Sequence, residues 1–381
     1  MSSNLLLMVE QYHMISRQNH CDDKLDMENS MRETANVIVR SIACLRKKSS
    51  VLILCGLHNK TFAEHIMLES YMVGARPYLW VFDENFFLKH SNMISEDVIA
   101  VLPEHVRSLL AKSDVVIWLS QFEDLEKFPA NIRSAISSFW DAVYEVVKAK
   151  PLLLVNLPSG KYVEAMGIDY EGFLRAFMNA VEIDYRKLRK TGLNIASELD
   201  GKDCIHVYDP NGTDLVFSIK GRHVGVESGT LDDCLSTGRE CEVEIPAGEV
   251  YVAPVESSAN GILVVDQLRA YCIKRLKLQF ENGKIVSFKA EKGSDTFKKI
   301  LEKAKGDKDR IAELGIGINY GMKSVGWSVY DEKALGTAHI AIGNNTHLGG
   351  VNKASIHIDF ILCNPTIRAD DKLIMDMGKL S

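Results

Sequence analysis

Four short apolar runs constrain the fold of this chain more than any other feature. SVLILCGL (50–57), PYLWVFD (77–83), DVVIWLS (114–120) and PLLLVNLP (151–158) are nearly continuous in hydrophobic residues. Between them, KTFAEHIMLESYMVGA (60–75) and RSAISSFWDAVYEVVKA (133–149) carry apolar residues at helical spacing. Strands that are apolar on both faces need cover on both faces, and helices in parallel crossovers supply it. Residues from about 30 to 190 therefore read as an open, three-layer α/β domain with a parallel sheet. The turn Cys55-Gly56-Leu57-His58 after the first run lacks a full G-x-G-x-x-G pattern, so it is only a weak signal for a nucleotide site.

The pattern changes near residue 195. ASELDGKDCIHVYDPNGTDLVFSIKGRHV holds two alternating runs around Asp209-Pro210-Asn211-Gly212, a hairpin signal, and LKLQFENGKIVSFKA repeats the device at Asn282-Gly283. SDTFKKILEKAK (294–305) reads as one amphipathic helix with Ser294 or Asp295 as N-cap. A chain of 381 residues is long for one core. Two domains are expected: an α/β domain at 1–194 with an N-terminal helical extension, then a strand-rich α+β metal-binding domain at 195–381.

Composition narrows the partners. A formal net charge of -6 gives no electrostatic footprint for nucleic acid or an anionic membrane. The basic run Arg186-Lys187-Leu188-Arg189-Lys190 reads as a solvated helix face. MSSNLLLMVEQYHMISRQNHCDDK has neither a basic flank nor a cleavage site of the kind that marks a signal peptide, and no apolar run approaches the ~20 residues of a membrane-spanning helix. The 8 cysteines are scattered without a C-x-x-C pair, which fits reduced thiols in the cytoplasm rather than a disulfide framework or a zinc ribbon.

The chemistry concentrates in the second half. Glu249 lies in IPAGEVYVAP with Glu256 beyond it, Glu313 is the only charge between Ala312 and Asn319, and Asp331 and Glu332 precede His339 in VYDEKALGTAHIAIGNN. SIHIDFIL (355–362) places His357 and Asp359 on one face of an alternating strand, opposite Ile356, Ile358 and Phe360. Such a pair suits a solvated surface, a hydrogen-bonded core pair or two ligands of one metal. Several carboxylates in apolar surroundings repel one another and are costly to desolvate, and divalent cations remove that repulsion. A mixed histidine and carboxylate set suits zinc, cobalt, manganese or iron(II), and without thiolates an open catalytic site is the better reading than a closed structural one. Two ions ~3.5–4 Å apart polarise a carbonyl and stabilise an oxyanion, which is machinery for amide hydrolysis.

IPAGEVYVAP, IAELGIGIN, DEKALGTAHIAIGNN and SIHIDFIL, together with PNGTDLVFSIKGR, resemble the aminopeptidase T family of metallopeptidases in sequence and order. The resemblance implies that Glu249, Glu313, His339, His357 and Asp359 hold two divalent metals (Zn, Co or Mn), with Glu332 near a further acidic ligand and Glu313 or Glu249 as bridging ligand or proton carrier. It also implies a peptide substrate and a homodimer. One departure stands out: where the family places a tyrosine beyond the HIA-like segment, this chain reads GNNTHLGG, with Thr346 and His347. The scaffold is also similar to that of 2,5-dihydroxypyridine dioxygenase. That alternative implies a mononuclear iron(II) site on His339, His357 and Asp359 performing ring cleavage. A third expectation keeps the metal and drops the chemistry, leaving a metal-stabilised binding protein.

Overall fold

The computed structural model describes residues 26–236 and 241–381. Residues 1–25, which hold Cys21 and most of the expected N-terminal extension, lie outside the described residues. Each of the four apolar runs forms a strand: β1 (Ser50–Gly56), β2 (Arg76–Phe82), β3 (Val115–Leu119) and β4 (Leu152–Val155). The helices Lys60–Met72 and Ala130–Val147 occupy the segments with helical spacing. Later in the chain come β5 (Cys204–Tyr208), β6 (Asp214–Ser218), β7 (Val224–Glu227), β8 (Glu242–Ile245), β9 (Glu249–Val252), β10 (Asn260–Leu268), β11 (Ile273–Glu281) and β12 (Lys284–Lys292). They are followed by β13 (Ile311–Gly317), β14 (Thr337–Gly343), β15 (His357–Cys363), β16 (Thr366–Ala369), β17 (Lys372–Asp376) and β18 (Lys379–Leu380).

The first sheet is parallel in the order β2-β1-β3-β4-β8, and helices cover both its faces, as expected of the fold class. Strand alternation divides its core in two. Leu52, Leu54, Val116 and Leu152 pack with an aromatic group that includes Trp140, while Val51, Ile53, Ile117 and Leu153 join the core of the second half. The fifth strand, β8, comes from the second half and pairs parallel with β4. With two glutamates in four residues it carries no apolar run, so its sequence does not announce a parallel strand.

The second half is antiparallel. An eight-stranded sheet runs β12-β11-β10-β6-β5-β16-β17-β18, and both expected hairpins lie in it. Asn282 (φ 51) and Gly283 (φ 80) both adopt the left-handed backbone that a tight two-residue turn requires. The helix expected at 294–305 spans Ser294–Lys303, but neither Ser294 nor Asp295 is its N-cap. Gly293 holds that position at φ 89. The Ser294 hydroxyl is engaged instead with the backbone of Ala290 at the end of β12. A five-stranded sheet, β15-β14-β13-β9-β7, faces β8 and carries the acidic and histidine residues.

Candidate metal centre

Register places these residues on one face. Across the sheet, Gly317 pairs with Glu249, which pairs with Glu227; Gly315 pairs with His339, and Ala341 with both Glu313 and Asp359; Gly343 pairs with His357. Because directly paired residues share a face and alternate residues return to it, all five ligand-type side chains and Glu227 project the same way. The positions between them are Gly315, Gly317, Ala341 and Gly343, so the face is a basin. The opposite face carries Leu314, Ile316, Ile340, Ile342, Ile358 and Phe360, all buried.

The small residues are required. A Cβ at Gly315 would lie 2.0 Å from the Cε1 of His339, so the imidazole rests directly over that glycine backbone. The His339 ring is then 2% exposed, with its Nε2 at 3.6 Å from Glu313 Oε1 and 3.9 Å from both Glu249 Oε2 and Asp359 Oδ1. The other glutamate oxygen, Glu313 Oε2, lies 3.1 Å from His357 Nε2, which is also 3.2 Å from Asp359 Oδ1. His357 Nδ1 donates to the Asn344 carbonyl at 2.7 Å. That bond fixes the tautomer, leaving Nε2 to face the basin, the arrangement that metal-binding histidines use.

Glu249, Glu313, His339, His357 and Asp359 are thus brought together. The ligand atoms of Glu249, Glu313 and His339 all lie within 4.8 Å of one another, as do those of Glu313, His347 and His357. Glu332 follows the short helix Ser328–Asp331 and lines the same basin, 4.0 Å from the Lys333 ammonium and within electrostatic reach of Asp359 and Glu249. Asp331 is not part of it: its carboxylate accepts from Ser324 Oγ and the backbone of Val325 and Gly326, and so holds the preceding loop. Glu256 likewise serves structure, pairing with Arg222 and accepting from Asn345 and Val351.

Sequence reasoning missed Lys333, Glu227 and Glu244. Lys333 is 2% exposed, with its ammonium 2.7 Å from Glu227 and 2.9 Å from Glu244. A lone lysine between Glu332 and Ala334 has no signature of burial, and Glu227 and Glu244 lie in short strands of mixed polarity. Glu244 comes from β8 of the parallel sheet, so the cluster spans the junction of the two sheets. Together with Glu242, Tyr251 and His347, it lines a cavity of about 680 Å³.

The electrostatics are those of a basin with excess negative charge. Burial pushes the Glu249 carboxyl up to about 8, although Lys333 and His339 oppose the shift. Burial and the neighbouring Asp359 raise Glu332 well above the usual carboxylate range. Burial acts against His339 and His357 as cations, yet bonds to Glu313 and Asp359 outweigh it and raise them to about 9 and about 11. Burial also works against the charge of Glu313, but the two histidines bonded to it hold its carboxyl far below its usual range. Lys333 stays an ammonium, because four surrounding glutamates overcome its desolvation. With protons alone to balance charge, the basin converts histidines to imidazolium and carboxylates to acids.

A divalent cation does the same work without those protons, and the donor set fits one. It is all nitrogen and oxygen, mixed imidazole and carboxylate, which suits zinc, cobalt, manganese or iron(II). Two of its buried atoms, Glu249 Oε2 and His339 Nδ1, have no hydrogen-bond partner among the described residues. A buried carboxylate oxygen without a donor is costly, and a cation answers that cost.

Residues 184–376 match the family model described as Thermophilic metalloprotease (M29). Aminopeptidase AmpS of Bacillus subtilis is 26% identical over 185 residues, covering 43% of this chain and 44% of that protein. Aminopeptidase T of Thermus aquaticus is 25% identical over 190 residues, covering 44% of this chain and 45% of that protein. The matched part spans less than half the length of these relatives. Among solved structures, wild-type AmpT from Thermus thermophilus superposes with a TM-score of 0.73 at 18% identity, over 92% of this chain and 99% of that one. The 2,5-dihydroxypyridine dioxygenase from Pseudomonas putida KT2440 superposes with a TM-score of 0.65 at 17% identity, over 93% and 97%. These two superpositions establish a shared fold.

Proposed function

The chain belongs to the thermophilic metalloprotease (M29) family, and from that premise we propose that it is a metal-dependent aminopeptidase that removes N-terminal residues from peptides. The observation that carries the reading is the face-sharing set Glu249, Glu313, His339, His357 and Asp359, with Glu332 beside it, in a basin whose carboxylates outnumber its fixed cations. Those six residues would hold two divalent ions, zinc, cobalt or manganese, which supply Lewis acidity toward the scissile carbonyl and acidify water.

The charge count supports two ions rather than one. Glu227, Glu244, Glu249, Glu313, Glu332 and Asp359 are balanced among near neighbours by Lys333 alone once the histidines are neutral ligands. Two divalent cations leave the basin near neutrality, whereas one leaves it strongly negative. Glu313 offers one oxygen toward each histidine and would be the carboxylate shared by the two ions. Glu249, whose buried Oε2 has no hydrogen-bond partner among the described residues, would offer that oxygen to one of the ions. Lys333 holds Glu227 and Glu244 in place, and the residual negative charge of the basin attracts a substrate's free α-ammonium.

The iron alternative needs only His339, His357 and Asp359, and leaves Glu249 and Glu313 as buried acids without a role. No disulfide joins the seven cysteines among the described residues, which fits our placement of the protein in the reducing cytoplasm. We also propose a homodimer, the assembly implied by the resemblance to aminopeptidase T. Metal analysis with a parallel activity screen tests the function. Two zinc, cobalt or manganese ions per chain with hydrolysis of aminoacyl amides supports it. One iron(II) per chain with oxygen uptake on a dihydroxylated ring would replace it with the oxygenase, and metal binding without either activity would leave the binding protein.

A further inference from the structure

We infer that His347 is a ligand of the outer of the two metal ions, a role that rests on the metal reading above. His347 lies outside the six residues of that reading, on the exposed turn Thr346–Leu348, where a histidine ordinarily serves only solvation. Here the turn is fixed at both ends. Asn345, fully buried, donates its side-chain amide to Glu256 and to the Ala312 carbonyl, and its Oδ1 accepts from Asn352 N at 2.8 Å. Glu256 Oε1 also accepts from Val351 N at 2.7 Å, and Asn352 donates to the Ile311 carbonyl at 2.9 Å. Gly350 closes the turn against Asn345, where a Cβ would come within 2.1 Å of the amide carbon.

The anchored turn directs its histidine into the basin. The rings of His347 and His357 are 5.4 Å apart, edge to face. One ligand atom each from Glu313, His347 and His357 lies within 4.8 Å of the other two, while Glu249, Glu313 and His339 form a second such group. The two groups share only Glu313, whose Oε1 faces His339 and whose Oε2 faces His357. The inner site is therefore walled by the buried Glu313 and His339 with the half-buried Glu249, and the outer site is completed by a residue from a solvent-facing turn. An outer ion held by two imidazoles has a softer donor set than the inner one, which favours zinc or cobalt over manganese there. It is also the more readily exchanged of the two.

Cobalt(II) titration of the metal-free full chain tests this, read by calorimetry and by the visible absorption of the bound ion. Wild type takes up two ions. His347→Ala and His347→Gln are expected to keep the first at unchanged affinity and to bind the second about tenfold or more weakly with an altered absorption band, the loss that removal of even a supporting partner causes. Thr346→Ala, the neighbour on the same turn, keeps both ions at wild-type affinity and controls for the turn itself. Two ions with unchanged affinities and spectrum in both His347 variants would overturn the assignment while leaving the metal reading intact. A wild-type chain that takes up no divalent ion would overturn both.

Discussion

Lys333→Met is the perturbation that most directly tests the electrostatic account of the basin. The ammonium is buried and bonded to Glu227 and Glu244 at 2.7 and 2.9 Å, with Glu332 at 4.0 Å. Methionine fills similar space, so packing changes little and the charge is what is lost. Breaking a buried ion pair from one side typically costs about 3–5 kcal/mol, because the remaining charge is left desolvated. At about 2 °C per kcal/mol for a chain this large, melting temperature falls by about 6–10 °C in neutral chelator-containing buffer. The pH dependence is the sharper test. Glu244 is held below its usual carboxylate range chiefly by Lys333, and Glu227 is raised by burial with Lys333 opposing. Without the lysine both carboxyls move above their unfolded values. An acid raised in the folded state contributes stability below its unfolded pKa and loses it as pH rises through the folded one. The deficit of the variant is therefore largest near about pH 8 and shrinks as pH falls toward about 5. Calorimetric melting of both proteins across that range measures it. A deficit under about 1 kcal/mol at the upper end, or one that does not shrink on acidification, would refute the account.

Metal uptake should release protons, because His339 and His357 are raised to about 9 and about 11 and must give up their protons to bind an ion. Apparent affinity then rises with pH from about 6 to 8, and calorimetry in buffers of different ionisation enthalpy counts the protons; a pH-independent affinity would contradict it. Gly315→Ala puts a methyl 2.0 Å from the His339 ring, so it should cost about 1–3 kcal/mol of stability and weaken the inner metal ion. Saturating metal should raise the melting temperature of the wild type, by about 2.7 kcal/mol of stability at a hundred times the dissociation constant, with the gain lost on chelation. Trp140→Ala, in the aromatic core on the far face of the parallel sheet, should cost about 3–5 kcal/mol and leave metal affinity unchanged, as a spectroscopic titration would show.

The residues explain why one part of this molecule was readable and another was not. The parallel strands β1, β3 and β4 are buried or half-buried on both faces, and such burial leaves a continuous apolar run that sequence displays; β2, at the sheet edge, keeps an apolar run although Tyr78 is exposed. β8 sits at the edge of the same sheet with Glu242 and Glu244 in its four residues, so its membership depends on pairing with β4 and not on composition. The metal-ligand candidates were legible because each breaks a small-residue or apolar pattern: Glu313 between Ala312 and Leu314, and His357 and Asp359 among isoleucines and phenylalanine. Their convergence was not, since it follows from the register between β13, β14 and β15.

Lys333, Glu227 and Glu244 were hidden for a different reason. A buried ammonium is stable only because carboxylates from β7 and β8 reach it, and no local pattern encodes a partner 89 or 106 residues away. The same long-range logic gives His347 its place. In sequence it is one histidine in a polar, glycine-rich turn; in the fold that turn is anchored by Asn345, Glu256 and Asn352 beside the open side of the basin. Gly315 joins the two levels, since the one residue whose missing side chain gives His339 its seat is itself part of the strand that carries Glu313. On the basin face of β13, Glu313, Gly315 and Gly317 are thus a carboxylate and the space beside it, into which β9, β14 and β15 bring the remaining ligands.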